Sequence, residues 1–97
     1  MAICGFADKL TEDFFYSGIV PRTAGWRSVA DIAARKLDYL DYAAALSDLA
    51  APPGNRLEAL SGRLDGFHSI RINRQWRLVF CWTEDGPGQV SLVDYHR

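Results

Sequence analysis

The stretch from Phe67 to Phe80, FHSIRINRQWRLVF, carries two apolar/polar alternations joined by a short polar segment, and very few arrangements satisfy both. Successive side chains on a strand point to opposite faces, so Ile70 and Ile72 share one face while Ser69, Arg71 and Asn73 share the other. Farther along, Trp76, Leu78 and Phe80 oppose Arg77, Val79 and Cys81. A two-residue turn would set Ile72 against Gln75 and put Ile70 on the face of Arg77, exposing half of the apolar set. A three-residue loop, Asn73-Arg74-Gln75, instead sets Ile72 against Trp76, Ile70 against Leu78 and Arg71 against Arg77. The expected structure is therefore a hairpin in that register, with Asn73 or Arg74 making the turn and both arginines turned away from the core. Like charges directly opposite each other repel. An anionic ligand or a neighbouring carboxylate is expected beside them.

The rest of the chain reads as support for this hairpin. Ala2-Ile3-Cys4-Gly5-Phe6 is short and apolar and fits an edge or first strand. Asp8 is placed to cap a first helix carrying Leu10, Phe14 and Phe15, and Gly18 to end it in a left-handed conformation. After a connector from Ile19 to Gly25, Trp26, Val29, Ala30, Ala33, Leu37, Leu40 and Ala44 form one stripe of a long helix. Arg27, Asp31, Arg35 and Asp38 fall off that stripe and read as a solvated face. Leu46 and Leu49 belong either to its last turn or to a separate short helix, and Ala51-Pro52-Pro53-Gly54 is a firm break. Asn55 to Gly62 is a loop or short strand, and Gly62 to Gly66 a polar turn. Glu84-Asp85-Gly86-Pro87-Gly88 should turn the chain into a final strand from Gln89 to Tyr95.

At 97 residues the chain is expected to form a single α+β domain over residues 1–97, burying roughly 60 to 65% of its unfolded surface. A hydrophobic content of 48% with three tryptophans excludes a disordered chain. The longest apolar runs fall far short of the ~20 residues that span a bilayer, and no signal segment opens the sequence. A cytoplasmic protein without a membrane partner is expected. Cys4 and Cys81 show neither a CxxC pattern nor a zinc-type cluster. Both are read as reduced thiols, a disulfide between them requiring the first strand to lie beside the hairpin. No metal or cofactor is expected. The net charge of -1 means that any work on nucleic acid must rest on a local basic cluster.

Near the C-terminus, Asp94 and His96 would project to one side of a strand with Tyr95 between them. A carboxylate beside an imidazole can orient it or stabilise its charged form. Cleaving an RNA phosphodiester requires a base for the 2′-hydroxyl, an acid for the leaving 5′-oxygen and a cation for the developing charge. His96, Asp94 and Arg77 fill parts of that scheme, and Tyr95 and Phe67 suit stacking on an unpaired base. Spacing alone also fits a solvated tail for His96 and a surface arginine stacked on an aromatic ring for Arg77. His68 alternates with Ile70 and Ile72 and reads as a core-facing, hydrogen-bonded histidine.

Pro52-Pro53-Gly54-Asn55-Arg56-Leu57-Glu58-Ala59-Leu60, Ser69-Ile70-Arg71-Ile72-Asn73, Gln75-Trp76-Arg77 and Asp94-Tyr95-His96 together resemble the HigB branch of the RelE/HigB (RelE/ParE) superfamily of type II toxin-antitoxin toxins. Asp13-Phe14-Phe15 and Arg35-Lys36-Leu37 extend the resemblance over nearly the whole chain. It implies a RelE-like α+β fold with two N-terminal helices packed on a small, mainly antiparallel sheet. It also implies an endoribonuclease that cuts mRNA in the ribosomal A site without metal or cofactor and so inhibits translation. The implied partner is a helix-turn-helix, HigA-like antitoxin, with operator DNA reached only through it.

The resemblance places catalysis on Asp94, Tyr95, His96 and Arg77, and RNA binding on Arg71, Arg63, Phe67 and Arg97. Glu58 and Ser61 stand where one form of the family has a histidine and a lysine. Glu58 is a candidate base, although an unperturbed carboxylate is a weaker match to neutral pH than an imidazole. Arg63 is placed to replace the lysine charge, and Cys81 stands where related sequences often have arginine. This thinning of positive charge keeps a second reading open, a weakly active or inactive module of the same fold acting with its antitoxin in transcriptional autoregulation.

Overall fold

In the computed structural model, which describes residues 1–95, both ends of the first helix, α1 (Lys9–Ser17), follow from local sequence. Asp8 is extended and its Oδ1 accepts from the amide of Thr11 at 2.7 Å. Gly18 takes the left-handed conformation (φ 73°) and donates to the carbonyl of Phe14 at 2.9 Å. The inward side is not quite the one expected. Phe14 packs on Trp26 with ring centroids 4.7 Å apart, but Leu10 stays exposed. Buried Thr11 takes its place, and its hydroxyl accepts from the amide of Leu92 at 3.2 Å.

The long helix, α2 (Ala30–Tyr42), is shorter than its apolar stripe. Trp26 is buried ahead of a 3-10 turn, Arg27–Val29, that leads into it. At the far end Ala43 is already extended (ψ 131°), so Ala43 is buried and Ala44, expected on the stripe, is exposed. Leu46–Ala50 forms a separate 3-10 turn that buries Leu49. Arg27, Asp31, Arg35 and Asp38 lie in solvent.

Lys36 is buried on α2 and donates to Oδ1 of the fully buried Asn55. Asn55 Nδ2 donates to the carbonyl of Leu49 at 3.0 Å, and the Asn55 carbonyl accepts from the amide of Arg71 at 2.6 Å. One side chain thus ties the proline loop to the helix, and its backbone ties the same loop to the sheet. Burial pushes the Lys36 ammonium below its ordinary 10.5, and the nearby charge of Arg35 adds to the shift.

The sheet is antiparallel, in the order β1 (Glu58–Ala59), β2 (Phe67–Arg71), β3 (Trp76–Thr83), β4 (Gly86–Asp94). The hairpin has the expected register: Ile70 pairs with Leu78, Arg71 with Arg77, and the Ile72 amide donates to the Trp76 carbonyl at 2.9 Å. Asn73 makes the turn, its Oδ1 accepting from the amides of Gln75 at 2.9 Å and Trp76 at 2.7 Å. The next turn is tighter than expected. Thr83 pairs with Gly86, so Gly86, Pro87 and Gly88 belong to β4. Gly86 has φ 114°, and a Cβ there would lie 2.4 Å from the carbonyl oxygen of Ala2.

The N-terminal segment is less regular than a strand. The Cys4 amide donates to the Pro87 carbonyl at 2.8 Å, that of Val90 to Gly5 at 3.1 Å and that of Ala7 to Val90 at 2.9 Å, around a parallel bridge between Phe6 and Val90. It covers the outer edge of β4. Cys4 does lie beside a hairpin, yet both cysteines are free.

The helices cover one face of the sheet, where Leu37 and Leu40 meet Ile70, Leu78, Phe80 and Val90. Burying each large aliphatic or aromatic side chain there contributes about 1.5–3 kcal/mol. His68 shares this face and stacks on Phe80 with ring centroids 6.2 Å apart. Its Nδ1, expected to be hydrogen-bonded, is buried without a partner among the described residues.

Candidate functional site

The opposite face of the sheet gathers the polar chemistry. Glu58 pairs with Ser69, and Arg71 pairs with Arg77, which itself pairs with Val93. Directly paired residues share a face, so Glu58, Ser69, Arg71 and Arg77 all project away from the helices. The carboxylate expected near the two opposed arginines is Glu58, whose Oε1 lies 3.0 Å from Arg77 Nη2.

Arg77 is held on several sides. Its Nε donates to Ser69 Oγ at 2.8 Å and Nη2 to the carbonyl of Arg56 at 2.7 Å. The guanidinium carbon stands 5.4 Å from the ring centroid of Tyr95. Tyr95 lies just beyond β4, where its amide donates to the Gln75 carbonyl at 2.5 Å. Arg56 has left-handed backbone (φ 46°), an unfavoured conformation for a non-glycine residue. It adjoins Asn55, whose buried hydrogen bonds hold the loop in place.

Two cavities meet at Tyr95. One, of about 280 Å³, is lined by Arg56, Arg71, Asn73, Arg74, Arg77 and Tyr95. The other, of about 440 Å³, is lined by Glu58, Ala59, Leu60, Ser61, Arg63, Leu64 and Tyr95. The first is strongly cationic. The second joins a carboxylate to an apolar wall.

The residues singled out in the sequence are thus distributed unevenly. Glu58, Arg71, Arg77 and Tyr95 come together, and Arg63 reaches the second cavity from the 3-10 turn Gly62–Leu64. Phe67 shares the face of Arg77 but pairs with Cys81, at the other end of β2. Asp94 pairs with Trp76 and so lies on the opposite face from Arg77, where its Oδ2 accepts from Gln75 Nε2 at 3.0 Å. His96 and Arg97 lie outside the described residues. Ser69, Arg56, Arg74, Asn55 and Lys36 were not among the sequence candidates. For Ser69 the signal was present, since it alternates with Arg71. Lys36 also carried one, lying three residues after Ala33 and four before Leu40 on the buried side of the helix.

Two helices over a small antiparallel sheet, with a fixed arginine, a carboxylate and a tyrosine on the far face, define a small α+β domain with a charged candidate site. Residues 4–96 match the family of HigB-like toxins, described as RelE-like toxins of the type II toxin-antitoxin system HigB, and the chain belongs to that family. It is 42% identical over 96 residues to Toxin HigB-1 of Vibrio cholerae, covering 95% of each chain. An uncharacterized protein of Haemophilus influenzae is 41% identical over 61 residues, 63% of this chain and 60% of that one. The solved YoeB dimer of Staphylococcus aureus aligns with a TM-score of 0.57 at 21% identity, covering 100% of this chain and 98% of that one, which shows a shared fold. The protein is thus a type II toxin, for which an antitoxin is the partner. Among the described residues, no helix is long and apolar enough to cross a membrane.

Proposed function

We propose that this toxin is an endoribonuclease that cuts mRNA on the ribosome by acid-base chemistry of its own side chains. The observation that carries the reading is Arg77, a buried guanidinium that is braced by Ser69 and the Arg56 carbonyl, lines one cavity and is ion-paired to Glu58, which lines the other. A cation held in fixed geometry stabilises charge on a phosphorane-like transition state without reorganising. Glu58, beside it, is a candidate to take the 2′-hydroxyl proton. The 2′-oxygen then bonds to phosphorus as the bond to the 5′-oxygen breaks, and an acid returns a proton to that leaving oxygen. His96, with Asp94, is the candidate acid through the family resemblance. Tyr95, whose ring lies against Arg77, suits stacking on an exposed base. Phe67, Arg63, Arg71 and Arg97 are candidates for further RNA contact, and a HigA-like antitoxin for the cytoplasmic partner.

A second reading draws on the ion pair itself. Glu58 occupies a donor of Arg77 that a phosphate would use, which also suits an inactive module kept for its antitoxin complex. Inducing the toxin without antitoxin separates the two. Growth arrest with cut messages, both abolished in His96→Ala and Arg77→Lys, supports the nuclease. Continued growth with intact messages and soluble toxin rules it out.

A further inference from the structure

Four of the eleven basic residues of a chain with net charge -1 line the cavity of about 280 Å³ beside Arg77. Among the described residues, no acidic one lines it. Of the four, Arg77 alone is ion-paired among the described residues, with Glu58. Arg71 is oriented by a 3.1 Å hydrogen bond from its Nε to the Asn73 carbonyl, while the side chains of Arg56 and Arg74 bond to nothing among the described residues. Arg71 also stands directly across from Arg77 in the ladder, where two like charges repel.

The backbone under these side chains is built rather than loose. Asn73 Oδ1 fixes the turn that carries Arg74 through its bonds to the Gln75 and Trp76 amides. Arg56 is held in its left-handed conformation between Asn55, anchored to Lys36, and its own carbonyl, anchored to Arg77. Uncompensated cations on a fixed, concave frame match a ligand with several negatively charged oxygens, and guanidinium groups bind such oxygens in bidentate fashion.

We infer that Arg56, Arg71 and Arg74 form a second phosphate site, which holds the RNA phosphate next to the one at Arg77. The inference rests on the nuclease reading for the identity of the strand. Tyr95 lines both cavities and marks where the strand crosses from one to the other. The nucleotide that reacts sits toward Glu58, and its neighbouring phosphate sits among the arginines. The site grips the substrate and leaves the chemical step to other groups. Removing it therefore weakens substrate capture more than the rate at saturation.

The test compares wild type with Arg56→Gln/Arg74→Gln, two exposed changes that leave the fold intact by circular dichroism. With message-programmed ribosomes, the double variant should raise KM about tenfold while kcat changes less than about threefold, because removing a cation that holds a phosphate weakens binding across all sequences. A 2′-deoxy single-stranded oligonucleotide should bind the variant with a shallower salt dependence, by ~0.7 in the log-log slope for each phosphate no longer neutralised. Unchanged KM and slope overturn the inference. So does an equal weakening of binding to ribosomes without message, which would assign these arginines to ribosomal RNA. If wild type cuts nothing, the nuclease reading fails, and the oligonucleotide slope alone then supports or overturns the phosphate site.

Discussion

Glu58 Oε1 lies 3.0 Å from Nη2 of Arg77, joining a half-exposed carboxylate to a guanidinium whose side chain is only 10% exposed. The ion pair ties the edge strand β1 to the polar face of the hairpin. Because Arg77 is also braced by Ser69 and the Arg56 carbonyl, loss of the contact with the more exposed Glu58 would leave the cation in place.

Arg77→Lys keeps the charge but loses the planar fork that bonds Ser69 and Arg56 together. Cleavage on programmed ribosomes should fall by roughly 10²- to 10³-fold, which corresponds to about 2.7–4 kcal/mol of transition-state stabilisation. Glu58→Gln should lower the single-turnover rate while leaving message binding intact or tighter. An unchanged rate would remove Glu58 from the chemistry.

Asn55→Ala removes the acceptor of Lys36 and the donor to Leu49 in a fully buried place. A buried partner left unpaired costs about 1–3 kcal/mol, so denaturant unfolding should show a decrease in that range or slightly above it. Cleavage should fall as well, since the Arg56 carbonyl that braces Arg77 adjoins this residue.

Lys36 gives stability a pH dependence of definite sign. Burial lowers its folded value below the ordinary 10.5, so the cost of burying the charge is fully present below the folded value. As pH rises from the folded value toward 10.5, the unfolded chain keeps the proton and the folded chain releases it. Wild type should therefore gain stability over that window relative to Lys36→Met, as measured by urea unfolding at several pH values. A difference that stays flat with pH would contradict the lowered value.

His68→Phe keeps a ring on Phe80 and removes the buried Nδ1 that has no partner among the described residues. Unfolding should show equal or higher stability, by up to about 1–3 kcal/mol. A lower stability would point to a water or ligand bonded at Nδ1.

Ser61 lines the cavity that holds Glu58 and Tyr95, and Cys81 shares the strand face of Arg77. Ser61→Lys with Cys81→Arg returns positive charge to the polar face. Cleavage on ribosomes should rise, and its salt dependence should steepen by ~0.7 for each additional phosphate neutralised. No change would dispose of the idea that the thinned charge at these positions slows the toxin.

Much of the scaffold was legible because its signals are local. The hairpin register follows from a side-chain period of two, since a one-residue slip would move every apolar residue to the wrong face. Asp8 and Gly18 mark the ends of α1 through bonds to residues within about one turn of each. The tighter second turn was missed because Gly86, Pro87 and Gly88 have the composition of a loop. The positive φ of Gly86 and the close approach of the Ala2 backbone explain why a glycine opens β4.

The sequence by itself determined a two-faced hairpin with Arg71 and Arg77 on the polar side, and its motifs pointed to the HigB family. Tertiary structure decided what surrounds those arginines. Ser69, the Arg56 carbonyl, Glu58 and Tyr95 reach Arg77 from separate segments, and Asp94 falls on the other face because it pairs with Trp76. Lys36 is buried because Asn55, from a distant loop, offers it an acceptor. Periodicity specifies which way a side chain points, whereas its partners depend on how the chain closes on itself over long separations.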